Sequence, residues 1–134
     1  MTKITIRYDL PKQFKVSTNK IYSWIHWTKR KKITDYFHNL VKQDCQELKQ
    51  VTEKVNLRFE FYFKSRYLDS SNCSFMWKCL EDWLVNNWLI KNDTNKYIKE
   101  VTYVSVVIDP KERKKLESDY IRIKIKKCQT NQEQ

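Results

Sequence analysis

Residues 55–63 read Val55-Asn56-Leu57-Arg58-Phe59-Glu60-Phe61-Tyr62-Phe63, and they have the most regular alternation of side chains in the chain. Its odd-numbered positions are all large and apolar, and most of the residues between them are polar or charged. Successive side chains of a β-strand point to opposite faces of a sheet. The alternation therefore predicts a strand with one apolar face.

Three other segments have the composition of strands. Lys3 to Leu10 predicts a short first strand that ends at Pro11, because proline lacks the N–H group that a sheet ladder needs. Residues 101–108 carry apolar side chains at both alternating sets of positions, which predicts a strand buried on both faces. Tyr120 to Lys126 alternates isoleucine with basic residues, which predicts a last strand with one basic face.

Two segments have helical periodicity. From Thr28 to about Gln50, apolar residues recur at intervals of three and four, which predicts an amphipathic helix. Between Ser74 and Trp88, apolar residues fall on one helical face and polar residues on the other, which predicts a second helix. Residues 12–27 follow neither period, and we expect an irregular loop there.

These elements predict an α/β (α+β) fold in the order β-α-β-α-β-β, with a mixed sheet of about four strands and two main helices. A chain of 134 residues can bury one core, so we expect a single compact domain over residues 1–128. Residues 129–134 are polar, and we expect them to form a disordered tail.

The cysteines and the hydropathy pattern argue against several classes of protein. Cys45, Cys73, Cys79 and Cys128 form no C-x-x-C pair, so a structural zinc site is not expected. No apolar run approaches the ~18 residues of a membrane span, and no cleavable signal sequence is recognisable. We therefore expect a cytoplasmic protein with reduced thiols and no membrane association.

The charge balance favours an anionic partner. The chain has 27 Lys and Arg against 16 Asp and Glu, a net charge of +11. The basic residues are clustered at 29–32, 111–115 and 122–127, which favours contact sites for nucleic acid over an evenly basic surface. A solvated basic surface without a polyanionic partner is the alternative.

Acidic residues are concentrated in one part of this basic chain. Asp69, Glu81 and Asp82 lie within residues 68–82, and Asp93 follows one loop later. At helical spacing Ser74, Lys78, Glu81 and Asp82 share one face. Carboxylates and neutral oxygens gathered in this way are ligands that Mg²⁺ accepts.

The loop between the first strand and the first helix is rich in aromatic and hydrogen-bonding side chains. It carries Ser17, Asn19, Tyr22, His26 and Trp27. Aromatic rings in such a loop could stack on unpaired bases. The alternative is a loop folded over the core, with its aromatic residues as anchors.

Three places in the sequence resemble the RusA-type Holliday junction resolvases (crossover junction endodeoxyribonucleases). They are Ser17-x-Asn19-x-x-Tyr22 in the first loop, the segment before and through the second helix, and Ile90-x-Asn92-Asp93. Members of that family carry D-x-D-N-x-x-K at the second helix and an Asp-Asp pair beyond it, and their aspartates bind divalent metal for phosphodiester hydrolysis.

The chain departs from the acidic motif of that family. A gapless match through Lys78 and Asp93 places the D-x-D positions on Asn72 and Ser74 and the Asp-Asp pair on Asn92-Asp93. A shifted match recovers Asp69 as the first aspartate but needs extra residues before Lys78. In either match the first pair of carboxylates is incomplete.

The resemblance implies a site for Mg²⁺ or Mn²⁺ beside the scissile phosphate. Its expected catalytic residues are Asp93, Lys78, Asp69 and Asp82. Its expected metal ligands are Asp93, Asp69, Asp82, Asn72 and Ser74. The alternative is structural: a surface ion pair of Lys78 with Asp82, a helix cap at Ser74 and a turn at Asp93.

Residues expected to contact DNA have basic, aromatic or hydrogen-bonding side chains on the first loop, the first helix, the segment that follows residues 55–63, or the last strand. They are Asn19, Tyr22, His26, Lys29, Arg30, Lys31, Lys32, Lys64, Arg66, Arg122, Lys124 and Lys126. The family implies a homodimer on branched DNA, and a phage gene acting in a host cytoplasm is the setting that it suggests.

The leading hypothesis is a metal-dependent endonuclease of the Holliday junction resolvase type. The first alternative is a catalytically degenerate RusA-like protein that only binds DNA, because Asn72 and Ser74 stand at acidic positions. The second alternative is a basic adaptor for an acidic protein.

Overall fold

A computed structural model describes residues 3–23, 27–87 and 89–128. Within these ranges four strands, β1 to β4, form one sheet. The chain also forms four α-helices, α1 to α4, and a short 3-10 helix at Ser70–Cys73. In chain order the elements are β1 (Lys3–Asp9), α1 (Thr18–Ser23), α2 (Trp27–Glu47), β2 (Val55–Tyr62), α3 (Ser74–Asn86), β3 (Ile98–Ser105), α4 (Pro110–Lys115) and β4 (Tyr120–Lys127).

The sheet is mixed, in the order β1-β4-β2-β3. β4 pairs antiparallel with β1 and β2, whereas β3 lies parallel to β2 at the sheet edge. The parallel pair needs a crossover, and α3 supplies it between β2 and β3. This architecture confirms the predicted α+β fold of one small domain with a four-stranded mixed sheet and two long helices.

The core lies between one face of the sheet and the two long helices. The strand predicted from residues 55–63 is central: Leu57, Phe59 and Phe61 are fully or almost fully buried. They stand opposite isoleucines of β4 in the sheet register. The helices bury Ile33, Phe37 and Val41 from α2 and Met76, Leu80 and Leu84 from α3.

The other face of the sheet has no helical layer over it within the described ranges. Arg7, Arg58, Thr102 and Lys126 all point to this face and are exposed. A sheet with one dry and one wet face explains why residues 55–63 alternate so strictly. The protein is therefore a two-layer structure with an open, polar sheet face.

Three predictions about local structure were wrong. Residues 12–27 are not wholly irregular, because Thr18–Ser23 forms the short helix α1. β3 begins at Ile98 and ends at Ser105, and it is an edge strand with exposed positions, not a strand buried on both faces. Val107, predicted to lie in that strand, is 92% exposed. The predicted tail 129–134 lies outside the described residues.

Candidate functional site

The exposed edge of α3 carries the lysine and one of the aspartates predicted for the site. Lys78 Nζ lies 3.1 Å from Asp82 Oδ1 and 3.8 Å from Glu81 Oε1. Helical spacing produces this arrangement, because residues three and four apart are neighbours on a helix. Lys78 and Asp82 are half exposed, whereas Glu81 is buried.

Asp93 belongs to the same charged group. It is exposed in the loop before β3, where its backbone N–H donates to Asn92 Oδ1. Burial opposes the charge of Lys78, but the hydrogen bond to Asp82 and the negative charges of Glu81, Asp82 and Asp93 raise the pKa of Lys78 above its ordinary value. Lys78 therefore stays cationic throughout the physiological range.

Glu81 is the unusual member of the group. Burial raises the pKa of its carboxyl, and the nearby charges of Asp82 and Asp93 raise it further, while Lys78 opposes them. Glu81 Oε2 is buried and has no hydrogen-bond partner among the described residues. A carboxyl in this environment holds its proton more readily than an exposed glutamate does.

The start of α3 is tied to α1 through one hydroxyl. Thr18 Oγ1 accepts from the Phe75 backbone N–H at 3.0 Å and donates to the Asn72 carbonyl at 3.1 Å. It also lies 2.7 Å from Ser74 Oγ. The cap of α3 thus comes from a different helix, because the N-cap residue Cys73 has no side-chain bond there. The sequence predicts Ser74 as the cap, but the Ser74 hydroxyl contributes only through its contact with the Thr18 hydroxyl.

Asp69 lies apart from this group. It precedes the 3-10 helix and lines an 840 Å³ cavity formed by the loop after β2, the end of β3 and α4. None of the residues that line this cavity belongs to α3 or to the loop of Asp93. The cations in its lining include Lys64 and Arg113. Asp69 therefore does not join Lys78, Asp82 and Asp93 in the described structure.

The predicted metal site can be tested against these positions. Among residues 3–23, 27–87 and 89–128, no three His, Cys, Asp or Glu side chains are grouped so that they could hold a metal ion. Lys78 occupies the space between two of the carboxylates, Glu81 and Asp82. The described residues therefore contain no such preformed cluster, and the Mg²⁺ or Mn²⁺ site stays a prediction.

The cations at the start of α2 have different environments. Arg30 Nη2 donates to the Ile21 carbonyl and so links α2 to α1. Lys31 forms an exposed i,i+4 ion pair with Asp35. Lys29 and Lys32 are exposed, as is Trp27, so this end of α2 presents positive charge to solvent. Of the neighbouring loop, Asn19 lies in α1, His26 lies outside the described residues, and so does the side chain of Tyr22.

The two residues after β2 that were predicted to contact DNA, Lys64 and Arg66, also have different environments. Lys64 Nζ donates to the Leu116 carbonyl, and the Lys64 backbone N–H donates to Asp119, so this lysine holds the loop together. Arg66 is exposed and lines a second, smaller cavity with residues of the first loop. Arg66 is therefore the better candidate for an anion contact.

The predicted basic residues of β4 lie on the open sheet face. The sheet register sets Arg122, Lys124 and Lys126 beside further cations of the neighbouring strands. The cations on this face are Lys3 and Arg7 of β1, Arg58 of β2, and Arg122, Lys124 and Lys126 of β4. The carboxylates on the same face are Asp9, Glu60 and Glu100, so positive charge is in excess.

A network of side chains orders this face. Glu60 accepts hydrogen bonds from Arg58 at 2.8 Å, from Tyr62 at 2.9 Å and from Lys124 at 3.4 Å. Burial would raise the pKa of Glu60, but these donors together lower it below its ordinary value. Glu60 is therefore ionised at neutral pH and neutralises part of the charge around it.

Aromatic rings continue the network toward β1. The rings of Tyr62 and Tyr120 stack with centroids 4.4 Å apart, and the Arg7 guanidinium lies 3.8 Å from the centroid of Tyr120. Arg122 lies 5.3 Å from the Tyr62 centroid. Cation–π contacts of this kind hold arginines in fixed positions, which prepares them for an anionic ligand.

Some of these residues could not be predicted from the sequence. Thr18 and Arg7 carry no local signal, because their roles depend on contacts with elements distant in sequence. Glu81 had a signal, since it shares a helical face with Lys78, but nothing in the local sequence shows that it is buried.

Comparison with known proteins adds no assignment of family. No protein-family model matches the chain, and no curated protein is significantly similar to it in sequence.

A membrane-spanning helix is not found in the described part of the chain, where every helix is too short or too polar to cross a bilayer.

Proposed function

We propose that this protein binds branched DNA, as the RusA-type resolvases that it resembles do. The observation that carries the proposal is the open sheet face, where six cations of three adjacent strands outnumber three carboxylates. Lys and Arg arranged over such an area suit the phosphates of a nucleic acid backbone. DNA binding is the function that the geometry supports best.

The distribution of charge favours branched DNA over a simple duplex. One cationic surface is the open sheet face, and the other is the start of α2 with Lys29 and Lys32, which belongs to the helical layer. A single straight duplex contacts one side of a small protein, whereas the arms of a junction diverge and can contact two. Each surface can therefore take a different arm.

Cleavage of that DNA is the second candidate. It is favoured by the grouping of Lys78 with Asp82 and Asp93. Lys78 and Asp93 stand at positions where the family has its lysine and an aspartate. Lys78 is cationic and half exposed, so it could stabilise negative charge on a phosphate oxygen. Because the described side chains do not form a metal site, the proposal includes no step that passes through a metal.

The test measures binding and cleavage of a labelled four-way junction and of a duplex with the same sequence. Binding is measured by mobility shift without divalent ions, and cleavage in Mg²⁺ or Mn²⁺. The variants are Asp93→Asn and, as a matched control, Asp35→Asn on the exposed side of α2. We expect the junction to bind at least about tenfold more tightly than the duplex, which corresponds to the energy of one charge-assisted contact.

Each result has a separate meaning. Equal affinity for both DNAs would overturn the preference for branched DNA, whereas no affinity for either would overturn DNA binding and favour an acidic protein as partner. Cleavage that is lost in Asp93→Asn and kept in Asp35→Asn would establish the second candidate. Tight junction binding without any cleavage would support a protein that only binds.

A further inference from the structure

A small cavity beside the first loop has a cationic lining. It measures 340 Å³, and its charged lining residues are Lys12, Lys15, Lys20 and Arg66. Its lining includes the hydroxyl-bearing residues Ser17 and Ser65 but no carboxylate. The candidate residues of α3 are not part of this cavity.

The base of the cavity is fixed by a buried ion pair. Lys15 Nζ lies 2.9 Å from Asp119 Oδ2, with side chains only 11% and 3% exposed. Lys15 Nζ also donates to Ser65 Oγ and to the Arg66 carbonyl. Asp119 is thereby occupied by Lys15, by Ser65 and by the Lys64 backbone, and it does not neutralise the other cations.

The remaining three cations form no ion pair within the described residues, and Lys12 also lines a neighbouring cavity with Glu117 and Asp119. Lys12, Lys20 and Arg66 are all exposed, and none of them forms an ion pair there. The loop that carries Lys12 is anchored to the helical layer, since Phe14 of the same loop stacks on Tyr36 of α2 with ring centroids 4.0 Å apart. Converging like charges repel one another, and an anion among them relieves that repulsion.

We propose that this cavity binds a phosphate group. Lysine ammonium, arginine guanidinium and serine hydroxyl groups are the donors that phosphate oxygens accept, and a tetrahedral anion can use several of them at once. The volume lies at the small end of the range for ligand cavities, about 300–1,000 Å³.

The source of the phosphate is either the DNA backbone or a free phosphate compound. Ser17 of the cavity adjoins Thr18, whose hydroxyl bonds to the start of α3, so a phosphate here lies close to the N-terminal end of that helix. DNA as the source rests on the proposed function, whereas the cavity's affinity for phosphate does not.

Two triple variants test the cavity with the same change of charge. The first is Lys12→Gln, Lys20→Gln, Arg66→Gln, and the control is Lys42→Gln, Lys49→Gln, Lys96→Gln, all exposed positions outside the cavity lining and outside the basic clusters of the sequence. Affinity for the four-way junction is measured at one fixed salt concentration. Thermal unfolding of each variant checks that it is folded. We expect the cavity variant to bind at least about tenfold more weakly than the wild type and the control to bind nearly as tightly as the wild type.

A second arm uses pyrophosphate as the probe. Titration of the ¹⁵N-labelled protein is expected to shift the amide signals of residues 12–20 and 65–66 in the wild type and not in the cavity variant. If pyrophosphate shifts these signals but no DNA binds, the cavity takes a free phosphate compound and the proposed DNA function fails. If the junction binds equally to both triple variants and pyrophosphate shifts nothing, the cavity inference is overturned while DNA binding stands.

Discussion

At the scale of single residues, Asp119 shows how one carboxylate can join distant segments. It is almost fully buried and contacts Lys15, Lys64 and Ser65, while its own carbonyl accepts from the Leu10 backbone N–H at 2.8 Å. Burial would raise its pKa, but the hydrogen bond from Lys15 and the backbone donors lower it below the ordinary value of 3.8. The ionised form is therefore the one that the fold stabilises.

We predict that Asp119→Asn lowers the free energy of unfolding at pH 7 by about 3 kcal/mol, because it leaves Lys15 buried without its counter-ion. The lowered pKa sets the sign of the pH dependence. The stabilisation is complete above the pKa of the unfolded state and disappears as the pH falls through the lower pKa of the folded state. Urea unfolding across the acid range measures this effect.

The matched control for Asp119 is Asp35→Asn, which breaks an exposed ion pair with Lys31. Exposed pairs of this kind contribute at most about 1 kcal/mol, so the control is expected to resemble the wild type. A difference between wild type and Asp119→Asn that stayed constant down to the lowest pH would contradict the assignment.

At the scale of elements, the contact between α1 and α3 decides how the polar edge of α3 is placed. Helix α1 has only six residues and is too short to be stable alone. Its Thr18 hydroxyl bonds to the Asn72 carbonyl and to the Phe75 backbone N–H at the start of α3. The N-cap residue of α3, Cys73, makes no side-chain hydrogen bond there. The irregular loop expected from the sequence therefore includes a small helix that caps a larger one.

Replacing Thr18 with Val keeps the shape of the side chain and removes its hydroxyl. We predict a decrease of about 1–2 kcal/mol in the free energy of unfolding, the usual cost of removing a helix cap. Thr18→Ser keeps the hydroxyl and should restore most of that stability. Equal stability of Thr18→Val and the wild type would show that water replaces the hydroxyl.

At the scale of the whole molecule, the two-layer architecture separates residues that were expected to act together. Lys78 and Asp82 belong to α3 in the helical layer and Asp93 to the loop before β3, whereas Arg122, Lys124 and Lys126 lie on the open sheet face. We proposed branched DNA because its diverging arms could contact two separate charged surfaces.

The open sheet face predicts a specific dependence of affinity on salt. For Arg7→Gln combined with Lys126→Gln, we expect the slope of log affinity against log salt to become less steep by about 0.9 for each phosphate that the variant no longer neutralises. Lys42→Gln combined with Lys49→Gln removes the same charge from the α2 region and serves as control. The measurement is junction binding over a series of salt concentrations. Parallel slopes for the two variants would argue against a DNA contact on the sheet.

Much of the fold followed from the sequence because its periodicities are local. Residues 55–63 alternate with the period of a strand, and the apolar residues of α2 recur with the period of a helix, so the sheet and the two long helices were predictable. β3 was misplaced because its apolar composition does not reveal that it lies at the sheet edge.

The fold class, the basic character of the protein and the helical spacing that joins Lys78 to Asp82 could be read from local sequence. Only the packed structure shows that Asp69 lines a cavity without Asp93, that Glu81 is buried and that Lys12, Lys20 and Arg66 line one cavity. The difference comes from the range of the interactions. Backbone geometry fixes contacts three or four residues apart, whereas contacts between distant segments exist only after the sheet and helices have packed.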